Sequence, residues 1–153
     1  MKIASKVAHP ILQEIAGELD AEGRVFSFLC GHDSNIASVT AALGVEDYRL
    51  PNAIETKTPI GSKLLFERWS DDAGQQYGRL RLVYSGVDQL RNPALPSAQN
   101  PPASYDLILG GLDRNEDGLY AYDDLRARIQ ESIEAYDQMR SEYPDAEVLP
   151  EAA

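Results

Sequence analysis

Val25-Phe26-Ser27-Phe28-Leu29-Cys30-Gly31-His32-Asp33-Ser34-Asn35 is the stretch on which the reading of this chain turns. A short apolar run with two phenylalanines stops at Gly31. Such a run predicts a strand over 25–30, buried on both faces. A His-Asp pair follows at once, and then a helix-like segment. In an open α/β sheet, ligands bind in the crevice beyond the carboxyl ends of the strands. A histidine there can donate to a phosphate oxygen. The first turn of the next helix adds backbone N–H groups and the positive end of its dipole, both favourable to an anion. An aspartate kept protonated by partial burial can give its proton to a leaving oxygen. The competing reading is a locally satisfied His32 with Asp33 as a helix N-cap. The dipeptide alone does not separate the two.

Working outward, Leu12, Ile15, Ala16 and Leu19 recur at helical spacing and predict a helix over 5–20, which Pro10 either starts or kinks. Gly23 stops it. Ile36, Ala37, Val39, Thr40 and Leu43 predict a helix over 33–43, ended by Gly44. A long connection follows over 45–61, with Pro51 and Pro59. Paired strands are expected over 63–69 and 79–84, the second alternating Leu80, Leu82 and Tyr84 with Arg79, Arg81 and Val83. Residues 91–102 carry four prolines and read as an extended surface crossing. Tyr105–Leu109 is a further strand. Leu125, Ile129, Ile133, Tyr136 and Met139 form one stripe of a helix over 122–141, capped by Asp123 or Asp124. The expected organisation is one α/β domain over 1–143, a mixed sheet with flanking helices, and an acidic, disordered tail over 144–153.

The 153 residues suffice for a real core, and the formal net charge is −11. That charge repels nucleic acid and anionic membranes, so neither is an expected partner. No apolar run approaches a membrane span. The single cysteine, Cys30, ends the expected strand and reads as a buried core residue. Trp69 and the tyrosines at 84, 105, 120 and 136 read as core or interface residues. Lys57 and Lys63 read as solvated loop lysines, with a phosphate entrance as the other reading.

Asp113-x-Asn115-x-Asp117-Gly118, with Asp124 at the twelfth position, has the spacing of an EF-hand calcium loop with Asp in place of the bidentate Glu. A strand rather than a helix is expected before it. The alternative is a polar turn leading into a capped helix.

Gly31-His32-Asp33-Ser34-Asn35-Ile36-Ala37-Ser38 resembles the His-Asp motif of the histidine acid phosphatases, most closely the glucose-1-phosphatase and phytase branch. The likeness continues through Thr58-Pro59-Ile60-Gly61, Leu65-Phe66-Glu67-Arg68-Trp69, Asp88-Gln89-Leu90-Arg91-Asn92 and residues 105–118, and covers most of residues 5–140. It implies the phosphoglycerate-mutase-like (histidine phosphatase) fold. It implies hydrolysis of small phosphomonoesters, a sugar phosphate or inositol phosphate, through a phosphohistidine and without a cofactor. Asp33 would be the proton donor, His32 a phosphate contact and Asn35 a residue at the edge of the substrate site. Periplasmic or secreted localisation follows from the same likeness.

Two departures stand out. The family's nucleophile lies in an N-terminal Arg-His-Gly-x-Arg-x-Pro motif, which this sequence lacks, together with its phosphate-clamping arginines. The other histidine, His9, lies in Ala8-His9-Pro10. The chain therefore resembles the C-terminal part of a phosphatase, expected to be inactive alone, to need the missing N-terminal half as partner and to self-associate through exposed sheet or core surface. The disulfide common near the family's final strands is also absent between 110–112 and 119–121. A non-catalytic interaction module and a calcium-binding domain built on the 113–124 loop are the rival expectations.

Overall fold

The structure is a computed structural model, and it describes residues 2–92 and 95–142. The expected domain limit at 143 and the tail beyond it lie outside the described residues.

Helix α1 (Lys2–Asp20) buries Ala8, Leu12, Ile15 and Ala16 along one stripe, the four positions that successive turns bring to one side. Pro10 lies inside it, so the helix does not start there. Helix α2 (Asp33–Ala42) buries Ser38, Val39 and Thr40. Strands β1 (Lys63–Ser70) and β2 (Gln76–Tyr84) form an antiparallel hairpin, with Leu64 opposite Leu82 and Phe66 opposite Leu80. Helix α3 (Val87–Arg91) is one short turn of chain that leads into the proline-rich crossing. On the other side of β2, strand β3 (Ala103–Asp106) pairs with one end and strand β4 (Tyr120–Ala121) with the other. Helix α4 (Tyr122–Glu142) closes the chain's described part.

The core lies between the helices and one face of β2. Leu80, Leu82 and Tyr84 point into it, and Leu125, Ile129 and Ile133 of α4 meet them there with α1. Each such leucine is worth about 1.5–3 kcal/mol over the same side chain in water. Gly78 is buried under α4, where a side chain would overlap Leu125, so glycine suits the position. The opposite face of the sheet is ionic. Arg79 Nε lies 2.8 Å from the Glu67 carboxylate directly across the hairpin, and Arg81 Nε lies 3.1 Å from Asp106 of β3. Opposite charges at directly facing positions favour this register.

The α/β class expected from sequence is what the structure shows, with all described pairings antiparallel rather than mixed. The strand expected at 25–30 is the main correction. That segment has no regular hydrogen-bonded structure, and Val25 is 98%, Phe26 77% and Phe28 65% exposed. Cys30, expected in the core, is an exposed free thiol. Apolar content signals a tendency to be covered, and nothing among the described residues covers this run. Strand β3 begins two residues earlier than expected and ends at Asp106, while Leu109 forms an isolated bridge with Val45. Tyr84 and Tyr120 belong to the core; Trp69 is exposed, with the Arg79 guanidinium over its ring at 5.3 Å.

Candidate active site at the start of helix α2

His32 is the N-cap of α2, and Asp33 is its first residue, so the turn at Gly31 sets both at the helix's positive end. The turn is fixed from within. Asn35 Oδ1 accepts the His32 amide at 2.9 Å, and the His32 carbonyl accepts the Asn35 amide at 3.0 Å. This is the reaching-back half of a capping box, with Asn in the third helical position. The Asn35 side chain also fills the space a Cβ at position 31 would need, 3.0 Å from its Oδ1, which favours glycine there. Asn35 thus shapes the turn as well as lying beside it.

Asp33 Oδ1 accepts the Ser34 amide at 2.7 Å, which anchors the carboxyl group on the helix end. His32 and Asp33 are both exposed. Among the described residues no lysine or arginine is ion-paired with Asp33. Such an arrangement can offer a proton and hydrogen bonds to an anion, but it holds no charge clamp for one.

The far end of α2 is secured by residues that sequence reasoning did not single out. Arg128 of α4 donates to the Leu43 carbonyl at 2.9 Å and to the Gly110 carbonyl at 3.0 Å. The Ser132 hydroxyl donates to the Ala42 carbonyl at 3.0 Å. Together they satisfy carbonyls that a helix end leaves open. No local pattern marks Arg128 for this role, because its partner Leu43 is 85 positions away.

The chain's other histidine lies between α1 and α4. His9 Nε2 lies 2.9 Å from the Asp137 carboxylate, and its ring packs on Tyr136 with centroids 4.6 Å apart. It joins α1 to α4. Lys57 Nζ is held by the Tyr48 carbonyl and Asp47, and Lys63 Nζ donates to the Gly61 carbonyl at 2.6 Å. The Lys57 charge is thus already paired with an acid, and the Lys63 amine is folded back on its own turn.

In the acidic loop, Asn115 Oδ1 accepts the amides of Asp117 at 3.1 Å and Leu119 at 2.8 Å, and Gly118 takes a left-handed conformation. That is a local turn closed on itself. Among the described residues no three acidic, histidine or cysteine side chains gather as a metal-holding group, so Asp113, Asp117 and Asp124 are not brought together.

The sequence model of the histidine phosphatase superfamily (branch 2) matches residues 1–85. The chain belongs to this superfamily. The glucose-1-phosphatase of Providencia rettgeri is 36% identical over 137 residues, covering 86% of this chain and 33% of the relative. Phytase AppA of Escherichia coli (strain K12) is 35% identical over 96 residues, covering 60% of this chain and 21% of the relative. Among solved structures, Hafnia alvei phytase in complex with tartrate matches with a TM-score of 0.72 at 30% identity, covering 86% of this chain and 35% of that one. The chain thus spans about a third of the length of the Providencia rettgeri relative and of the Hafnia alvei phytase chain, and about a fifth of the Escherichia coli phytase.

Proposed function

We propose that this chain is the acid-supplying part of a histidine acid phosphatase that hydrolyses small phosphomonoesters, a sugar phosphate or an inositol phosphate. The observation that carries the reading is the exposed His32–Asp33 pair on the N-terminal turn of α2, fixed in place by Asn35. His32 donates to a phosphate oxygen. Asp33 gives its proton to the leaving oxygen as the phosphorus–oxygen bond breaks. The nucleophilic histidine and the arginines that clamp the phosphate come from a complementary part, because His9, the other histidine here, packs against Tyr136 between α1 and α4 and lies in a sequence without flanking arginines. The resulting phosphohistidine is hydrolysed by water, whose proton returns to Asp33. Phosphoryl transfer depends on positioning and charge stabilisation, so the chain alone is expected to be inactive. A periplasmic or secreted setting belongs to the same reading.

The test is hydrolysis of p-nitrophenyl phosphate and glucose-1-phosphate at acid pH. It uses the chain alone and the chain mixed with the part of the Providencia rettgeri relative outside the matched residues. The expected result is turnover only in the mixture, reduced about 100-fold or more by Asp33→Asn. Turnover by the chain alone, or turnover in the mixture indifferent to Asp33→Asn, would overturn the reading.

A further inference from the structure

Helix α2 carries the His-Asp turn at one end and is tied to distant parts of the chain at the other. The bonds that shape the turn run between His32 and Asn35 and between Asp33 and Ser34. They fix its form and not its place, because both partners of each bond lie in the same helix end. Its place comes from the seat of Ser38, Val39 and Thr40 in the interior and from the bonds made by the last residues of α2.

At that far end one side chain joins three pieces of chain. The Arg128 guanidinium, 20% exposed, gives Nη1 to the Leu43 carbonyl at 2.9 Å and Nη2 to the Gly110 carbonyl at 3.0 Å. The backbone holds the two carbonyls in register. The Gly110 amide donates to the Gly44 carbonyl at 3.0 Å, and the Glu46 amide to the Ile108 carbonyl at 2.8 Å. Gly44 takes a left-handed φ of 69°, and a Cβ there would lie 3.4 Å from Arg128 Nη1, so the chain turns tightly under the arginine. A planar fork suits two carbonyls at fixed positions better than an ammonium does. Its charge also faces the negative end of the α2 dipole. Ser132 is the lesser tie, because its hydroxyl serves only Ala42 and its own helix.

The lever between the two ends is short and stiff. Ten residues at about 1.5 Å each put the turn roughly 15 Å from the anchor. A tilt of about 4° at the anchor moves the other end by about 1 Å, and a displacement of that size can cost about 100-fold in rate.

We infer that Arg128 is a positioning residue for Asp33: by fixing the carboxyl end of α2 to α4 and to residues 107–111, it sets where the proton donor stands. The inference rests on the proposed function and adds to it a residue on another helix, remote from the reacting atoms.

Arg128→Met keeps most of the side chain's bulk and removes its donors, and Arg128→Lys keeps the charge. Gly78→Ala, which displaces Leu125 between β2 and α4, is the control for lost stability alone. In the chain by itself, the backbone amide NMR signals of residues 32–36 should shift and broaden in Arg128→Met and stay in place in Gly78→Ala. With the complementary part of the Providencia rettgeri relative added, kcat/KM is measured for glucose-1-phosphate and for p-nitrophenyl phosphate. A sugar oxygen needs a proton to leave and a nitrophenolate does not, so a misplaced acid penalises the sugar phosphate more. Arg128→Met should lower kcat/KM for glucose-1-phosphate about 10-fold or more beyond its effect on p-nitrophenyl phosphate, the same preference that Asp33→Asn shows more strongly. Arg128→Lys should fall between the parent and Arg128→Met, and it carries the test if the methionine variant loses its circular dichroism. Gly78→Ala should affect both substrates alike. Equal losses on the two substrates, or undisturbed signals at 32–36, would overturn the inference. A parent mixture without turnover would defeat the proposed function, and the amide signals would then decide for or against the anchor.

Discussion

The hydroxyl of Tyr120 accepts the Leu109 amide at 2.8 Å and donates to the Leu107 carbonyl at 3.3 Å, in a site where all three residues are 1% exposed or less. It ties the chain leaving β3 to the short strand β4, which has only two residues with which to do so through its backbone. Tyr120→Phe keeps the ring and strips the Leu109 amide of its partner. The expected cost is about 1–3 kcal/mol, the penalty for a buried donor left unmade. Urea unfolding should show a lower midpoint with the same slope. An unchanged midpoint would mean that water or a shifted carbonyl replaces the hydroxyl. The sequence suggested that Tyr120 is a core or interface ring. Which buried groups its oxygen serves depends on chain brought together in three dimensions, and no spacing reveals that.

At the scale of elements, two glycines in regular structure should respond oppositely to alanine. A Cβ at Gly78 of β2 would lie 2.4 Å from Leu125 Cδ2 and 3.4 Å from its Cβ, so Gly78→Ala forces the buried Leu125 side chain out of its place between β2 and α4. The expected loss is about 1–3 kcal/mol. A Cβ at Gly17 of α1 meets nothing within 4 Å, and Gly17→Ala should add about 0.5–1 kcal/mol through helix propensity. Thermal unfolding of the pair checks both signs, and a stabilised Gly78→Ala would show the contact to be looser than drawn.

The helices α1, α2 and α4 and the hairpin were legible because each has an apolar stripe or an alternation long enough to count. Helix α3 and strand β4 have five and two residues, too few to show a period. The run at 25–30 misled for a different reason: composition reports that a segment favours burial, while its partner is a separate matter. The Gly31-His32-Asp33 turn was legible from residue order. The anchoring of α2 by Arg128 was not.

Across the whole molecule, α1 and α4 lie side by side and antiparallel. Their seam holds His9 against Asp137 at one end and Asp20 against Arg126 at the other, where Arg126 Nε lies 2.8 Å from Oδ1. The Tyr122 hydroxyl reaches the Leu19 carbonyl at 3.2 Å beside them. The hydrogen bond from Arg126 holds the Asp20 carboxyl below the ordinary aspartate range against a smaller upward push from burial, helped by the charges of Arg126 and Arg68. A depressed carboxylate contributes stability above its unfolded value, near 3.9, and loses it as pH falls through the lower folded value. Asp20 is largely exposed, so the pair is worth only about 0.2–1 kcal/mol.

Time brings out a consequence of that seam. The bonds from Tyr122 to Leu19 and from Arg126 to Asp20 span 103 and 106 positions of sequence, whereas the β1–β2 hairpin closes locally. Long loops are entropically late to close, so the seam should form after the folding barrier is crossed. Asp20→Asn should then speed unfolding about 1.5- to 5-fold at pH 7 with refolding unchanged, and the difference should shrink as pH falls below the ordinary aspartate range. Slower refolding in the variant would place the seam before the barrier instead. With the seam last to close and first to open, the lifetime of the folded chain is governed by two helices far apart in its sequence, and the hairpin sets how quickly it folds.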